Sequence, residues 1–125
     1  MARGVMTAIW LALAACTGGP AASPGGAGGV CEASAAEARQ RVTSVIPAHL
    51  ECRADSDCLA VIVVSSCFNE CAAAVNLTGA GAVDRATTLI EAHECKLFDA
   101  AGCAPPAKQC EAPKKPVCAS QRCSF

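Results

Sequence analysis

The chain has 125 residues, 11 of them cysteine, a formal net charge of −1, no tyrosine and a single tryptophan at position 10. Ten Lys/Arg against eleven Asp/Glu leave no basic patch suited to phosphates, which argues against a nucleic-acid partner, and 3% aromatic content is too little for a stacked-base surface or an aromatic-anchored hot spot. Cysteine at about 9 percent lies in the range of disulfide scaffolds and implies an oxidising compartment, because cytosolic thiols are kept reduced.

The first residues, Met1-Ala2-Arg3, carry positive charge, and Gly4 to Leu13 is almost wholly apolar. A helix of that length is roughly 15 Å long, against about 30 Å of bilayer hydrocarbon, so the run is too short to span but suits the apolar region of an export signal. Leu13-Ala14-Ala15-Cys16 then places a branched apolar residue and two small ones before a cysteine.

This segment resembles the lipobox of bacterial lipoproteins. The resemblance implies that the cysteine thiol receives a diacylglycerol, that the peptide is cut just before it, and that the new amine is acylated. Cys16 would be the mature N-terminus and the lipid attachment site, and the membrane would be a partner through that lipid. The competing reading is ordinary secretion, since Ala12-Leu13-Ala14 also fits a small-residue cleavage site. Parity separates the two. Ordinary cleavage leaves eleven cysteines and one thiol without a partner, whereas lipidation of Cys16 leaves ten: Cys31, Cys52, Cys58, Cys67, Cys71, Cys95, Cys103, Cys110, Cys118 and Cys123. Each buried methylene contributes about 0.8 kcal/mol, so one short acyl chain would hold only marginally, while two or three would hold effectively for good. Thr17 is not the aspartate associated with inner-membrane retention in that family, so the resemblance favours the outer membrane, facing the periplasm or the surface.

Thr17 to Val30 has six glycines, two prolines and no charge. Such a segment cannot bury enough surface to offset its ordering entropy, and as a flexible coil its ends lie about 20 Å apart. It reads as a tether rather than a phosphate cradle, since no GxxxxGK[ST] pattern is present. The expected organisation is a lipoprotein signal peptide at 1–15, a Gly/Pro-rich tether at 16–30 and a cysteine-rich domain at 31–125.

Within that domain, Ser34-Ala35-Ala36-Glu37 matches a capping box, and Ala35, Ala38, Val42 and Val45 recur at helical spacing. Glu37 and Arg41 form a favourable i,i+4 pair, and Pro47 ends the pattern, which predicts a helix over about 34–46. Asp55-Ser56-Asp57 is turn chemistry. Leu59 to Val64 reads as a buried strand, with a short buried helix as the alternative. Cys67, Phe68 and Cys71 lead into AAAVNL, which suits helix or strand. After Gly79-Ala80-Gly81, the spacing of Val83, Ala86, Ile90 and His93 or Leu97 predicts a helix over about 81–97. From Cys103 the text is loop-rich, and Val117-Cys118-Ala119 with Arg122-Cys123-Ser124 reads as a hairpin about a short turn. The fold class expected is α+β: a small disulfide-rich domain with two helices and a short antiparallel sheet. Ten cysteines allow roughly 900 pairings, so the connectivity is unreadable.

Cys52-x-x-Asp55-x-Asp57-Cys58, the apolar strand after it, the spaced cysteines and the terminal VCASQRC are similar to the small cysteine-rich lipoproteins of myxobacteria-like Gram-negative bacteria. The resemblance covers about residues 50–125 and implies compartment and architecture, with no activity attached.

Bland chemistry wins at each remaining candidate. The cysteine spacings include no C-x2-C, which disfavours zinc and a thioredoxin-like redox site. Asp55 and Asp57 lack the further acidic ligands, glycine and distal Glu of a calcium loop. His49 and His93 are the only bases titrating near neutrality. A hydrolase would need one of them near Ser65 or Ser66, and no G-x-S-x-G elbow occurs. Asn76-Leu77-Thr78 matches an N-glycosylation pattern of little weight in a bacterial lipoprotein. No enzymatic activity, metal or cofactor is expected. The function expected is a lipid-anchored binding or structural module of the cell envelope, with an envelope protein as candidate partner. The alternative is a disulfide-rich protease inhibitor presenting the segment from Cys103 to Cys118, and a hydrolase ranks third.

Overall fold

A computed structural model describes residues 27–125; the signal, the lipobox with Cys16 and most of the tether lie outside the described residues. The protein is a small disulfide-rich α+β domain. Its elements in order are α1 (Ala27–Thr43), 3₁₀ turns at Ile46–His49 and Asp55–Asp57, β1 (Cys58–Val64), β2 (Asn69–Asn76), α2 (Leu77–Ala92), α3 (Glu94–Ala100), β3 (Val117–Ala119) and β4 (Arg122–Ser124). β1 and β2 form one antiparallel two-stranded sheet and β3 and β4 another, so two small sheets stand where one was expected.

The α1 stripe forms as its spacing predicts. Ala38 and Val42 are fully buried, and Cys31, Ala35 and Val45 pack against the same core. Arg41 Nη2 donates to Glu37 Oε1 at 2.9 Å, the predicted i,i+4 pair. The helix start differs from expectation. α1 runs back through Gly28 and Gly29 to Ala27, so Ser34 lies buried in mid-helix and caps nothing. The first turn forms despite glycine's poor propensity, with Gly28, Gly29 and Val30 exposed; the tie nearest to it is covalent, Cys31 in the second turn being bonded to Cys103, just beyond α3. The α-helix also closes earlier, at Thr43, and Pro47 opens a separate 3₁₀ turn rather than ending the helix.

β1 is a strand, but it is not buried throughout. Val63 sits in the core and Val61 packs on it, while Leu59, Ile62 and Val64 are exposed. The hairpin between β1 and β2 is shaped by Ser65, whose hydroxyl accepts from the N–H groups of Cys67 and Phe68 at 3.3 and 3.2 Å. This small-residue turn tucks Cys67 and Phe68 inward to full burial. Its outer side is held by Glu91 of α2, which accepts from the backbone N–H and the hydroxyl of Ser66, both at 2.7 Å. AAAVN proves to be strand, and Leu77 opens α2.

The predicted helix over 81–97 is two helices. It starts earlier, at Leu77, and breaks at His93, whose φ of −124° and ψ of −80° leave the helical region. The break turns the buried face from Val83 and Ile90 to Glu94, Cys95 and Phe98, and leaves Leu97 63% exposed. Buried Glu94 is paired with Arg41 Nε at 3.1 Å, which ties α3 to α1.

Gly79 occupies the third position of α2, where the helix crosses the 3₁₀ turn at Ile46–His49. A Cβ there would stand 2.6 Å from His49 Cβ and 2.8 Å from Val75 Cβ. Neither neighbour is the free end of a flexible chain. Gly79→Ala is therefore expected to destabilise the domain, the overpacking cost of about 1–3 kcal/mol outweighing the gain of up to about 1 kcal/mol in helix propensity. A urea unfolding midpoint equal to or above that of the wild type would contradict this.

Candidate binding groove and the cysteine framework

All ten described cysteines are paired, as Cys31–Cys103, Cys52–Cys118, Cys58–Cys123, Cys67–Cys95 and Cys71–Cys110, with Cα–Cα separations from 5.1 to 5.8 Å. Cys67–Cys95 is fully buried and runs through the main core from the β1–β2 turn to α3. Cys52–Cys118 and Cys58–Cys123 lie side by side and, with Ala74, make a second small core of their own. The Sγ atoms of Cys52, Cys58 and Cys123 come within 4.8 Å of one another. These sulfurs are bonded in disulfides, and metal ligation would require thiolates.

The C-terminal hairpin packs over one end of the first sheet. Its two-residue turn has positive φ at both Ser120 (50°) and Gln121 (60°), the signature of a type I′ connection, here without glycine. Backbone bonds from Cys123 N–H to Leu50 O (2.7 Å) and from Cys52 N–H to Gln121 O (3.2 Å) fasten it. Asp55 Oδ1 accepts from Cys118 N–H at 2.8 Å, and Asp57 Oδ2 accepts from the N–H groups of Arg53 and Ala54 at 2.8 and 3.0 Å. Asp57 thus serves the local turn, as its spacing predicts, whereas Asp55 reaches across the domain and fastens the hairpin.

Docking the hairpin beside this turn and the start of α2 leaves an open groove of about 860 Å³. Three stretches far apart in sequence line it: Glu51 to Arg53 with Asp57, Asn76 to Thr78, and Ser120 to Arg122. The Asn76 side chain organises its floor, with Oδ1 accepting from Gly79 N–H and Thr78 Oγ1, both at 2.9 Å, and Nδ2 donating to Glu51 O at 3.2 Å. Asn76 is thus the N-cap of α2 with both its amide oxygen and its amide nitrogen hydrogen-bonded. The Arg53 and Arg122 guanidiniums form no salt bridge among the described residues, so both are available to a ligand. No pattern in the sequence marks this groove, because it is assembled by long-range bridges from residues that are individually unremarkable.

The two N–H groups of Arg53 and Ala54 hold the Asp57 carboxyl below its usual range. Because the folded value is the lower one, its contribution to stability is present above the ordinary carboxylate pKa near 3.8. It is lost as the pH falls below that value and through the depressed one. Asp57→Asn should therefore be less stable than the wild type at pH 6, and the gap between their urea midpoints should close on acidification toward pH 2. A gap that stays constant with pH would contradict the assignment.

His49 and His93 are placed apart from any serine chemistry among the described residues. His49 ends its 3₁₀ turn with Nδ1 3.4 Å from Thr78 Oγ1, and His93 is exposed at the α2–α3 break. Ser65 and Ser66 are engaged in shaping and fastening the β-turn. From Ala104 to Lys115 every residue is exposed and none is in a regular element. No helix among the described residues is long and apolar enough to cross a membrane.

The architecture defines a disulfide-stapled α+β domain with a polar groove at one end. No protein-family model matches the chain, and neither does any curated protein or solved structure.

Proposed function

We propose that this protein is a lipid-anchored, non-enzymatic module of the cell envelope, tethered through Cys16 and acting by binding a partner in the groove beside the C-terminal hairpin. The observation that carries the reading is the closed cysteine account. The ten cysteines of the domain use one another up in five bridges, which leaves the cysteine of the LAAC sequence for another role. The outer membrane, on its periplasmic or surface side, is the favoured site, because Thr17 is not the aspartate that the lipobox resemblance associates with inner-membrane retention, and five bridges suit an oxidising compartment. Groove walls locked by two adjacent disulfides favour binding, because little ordering remains to oppose it.

The test is capture from envelope membranes with the lipidated protein as bait, beside an Arg53→Glu/Arg122→Glu variant. A partner held by the wild type and lost by the variant is the expected result, and Cys16→Ser should move the protein from the membrane to the soluble fraction. Identical capture by both baits, or unchanged fractionation of Cys16→Ser, would count against the proposal.

One observation favours a second reading, a protease inhibitor. The segment from Cys103 to Cys118 is exposed along most of its length, yet it is bonded at Cys103, Cys110 and Cys118 to three separate parts of the domain. An exposed loop with anchored ends is what such inhibitors present. Inhibition of any member of a broad protease panel would move this reading to the front.

A further inference from the structure

We propose that Cys71–Cys110 is a thiol-exchange site. It is the bridge that an external dithiol opens first, and its opening frees the segment between Cys103 and Cys118 while the rest of the domain stays intact.

The five bridges differ in access. Both cysteines are buried in Cys58–Cys123 and Cys67–Cys95, one is buried in Cys52–Cys118, and both are half-buried in Cys31–Cys103. Cys110 alone among the ten is exposed. Exchange needs a thiolate to reach a sulfur, so access alone orders the bridges, and exposed bridges are the more easily reduced.

Backbone conformation points the same way. Cys71 has φ of +68°, a left-handed conformation unfavourable for a residue with a Cβ. Asn69 Oδ1, which accepts from Cys71 N–H at 2.8 Å, and the bond to Cys110 both act at this point of the chain. Opening the bridge removes one of these constraints, which favours the reduced form. The reduced form also has a partner in place, since Asn69 Oδ1 lies 3.3 Å from Cys110 Sγ and can accept the thiol hydrogen.

Little else holds the segment down. Its only ion pair among the described residues is Lys108 Nζ to Glu70 Oε2 at 3.3 Å, an exposed contact of the kind that contributes little. The two core clusters contain neither Cys71 nor Cys110, so neither core depends on this bond.

The exchange balances with a dithiol as the reductant. One of its thiolates attacks Cys110 Sγ, the Cys71–Cys110 bond breaks, and the electron pair leaves on Cys71 Sγ, which takes a proton from water. The second thiol of the reagent, as thiolate, then attacks the mixed disulfide and releases Cys110 as a thiolate that is protonated in turn. The dithiol is oxidised to its disulfide by two electrons, and the bridge receives both.

The experiment is a graded dithiothreitol titration of the full chain, purified without reductant and kept under native conditions, with acid quench, alkylation and peptide mapping. Cys71 and Cys110 should label together at a dithiol concentration about tenfold or more below that needed for any of the other eight, and tryptic cleavage after Lys108 and Lys114 should accelerate at the same step. Another pair labelling first, all ten labelling together, or label on Cys71 and Cys110 before reductant is added would overturn the proposal. Cys71→Ser/Cys110→Ser should fold, and it should show the fast tryptic cleavage without responding to low dithiothreitol. A variant that fails to fold would contradict the claim that the bridge is dispensable to the core.

Discussion

Replacing Cys52, Cys58, Cys118 and Cys123 together by alanine is expected to cost about 7 kcal/mol, a large part of the 5–15 kcal/mol by which small domains are stable. The two bridges are interleaved: Cys52–Cys118 joins positions 66 apart and Cys58–Cys123 positions 65 apart, and each closes nearly the same stretch of chain. While Cys52–Cys118 is present, Cys58–Cys123 closes an effective loop of only about a dozen residues, so its removal alone should cost about 3 kcal/mol. Removing the remaining bridge then opens the whole loop and should cost about 4 kcal/mol more. Without either, the hairpin of Val117–Ala119 and Arg122–Ser124 keeps a few backbone bonds and the Asp55 contact, each contributing about 1 kcal/mol net. Three-residue strands are marginal on such terms. Hydrogen exchange at Cys118 and Cys123 should lose its protection in the fourfold variant and keep most of it in Cys58→Ala/Cys123→Ala. Equal costs for the first and second removals would show that the bridges act independently, contrary to the overlap of their loops.

Phe68→Ala is expected to destabilise the domain by about 3–5 kcal/mol. Phe68 is fully buried, and it is the largest such side chain in the domain. It lies in one cluster with Val42 of α1, Val63 of β1, Ile90 of α2 and Phe98 of α3, so a single truncation is felt by all the main layers. Ala73 of β2, packed against the same cluster, is too small to fill the space. Collapse is further resisted because the neighbouring Cys67 is bonded to Cys95. Val63→Ala, at the same core, should cost less in proportion to the smaller volume removed. Urea unfolding of the two variants checks the order; a Phe68→Ala effect below that of Val63→Ala would contradict the placement of Phe68 at the centre.

What was legible in the sequence was local. The Glu37–Arg41 pair, the Asp55–Asp57 turn, the strand at Leu59 to Val64 and the terminal hairpin are each set by residues within a few positions of one another, and each is found. Long-range packing decided the rest. The capping box at Ser34 marks no helix start, because α1 begins at Ala27 and is tied through Cys31 to Cys103. The break at His93 has no glycine or proline to announce it, and it serves to bring Cys95 and Phe98 into the core. The composition of β1 suits a buried strand, but a two-stranded sheet covers only one face, and Ile62 remains 63% exposed. The groove was illegible for the same reason as the pairing: Arg53, Asn76 and Arg122 become neighbours only once Cys52–Cys118 and Cys58–Cys123 have closed.

The central claim is that the domain's sulfurs are satisfied among themselves while Cys16 carries the anchor. Intact-mass spectrometry of the protein isolated from its membrane, alkylated before and after reduction, tests it most directly. The account predicts a chain beginning at Cys16 with added acyl mass, no alkylated thiol before reduction and ten afterwards. A mature chain without acyl mass at Cys16, or one with several thiols open to alkylation before reduction, would contradict it.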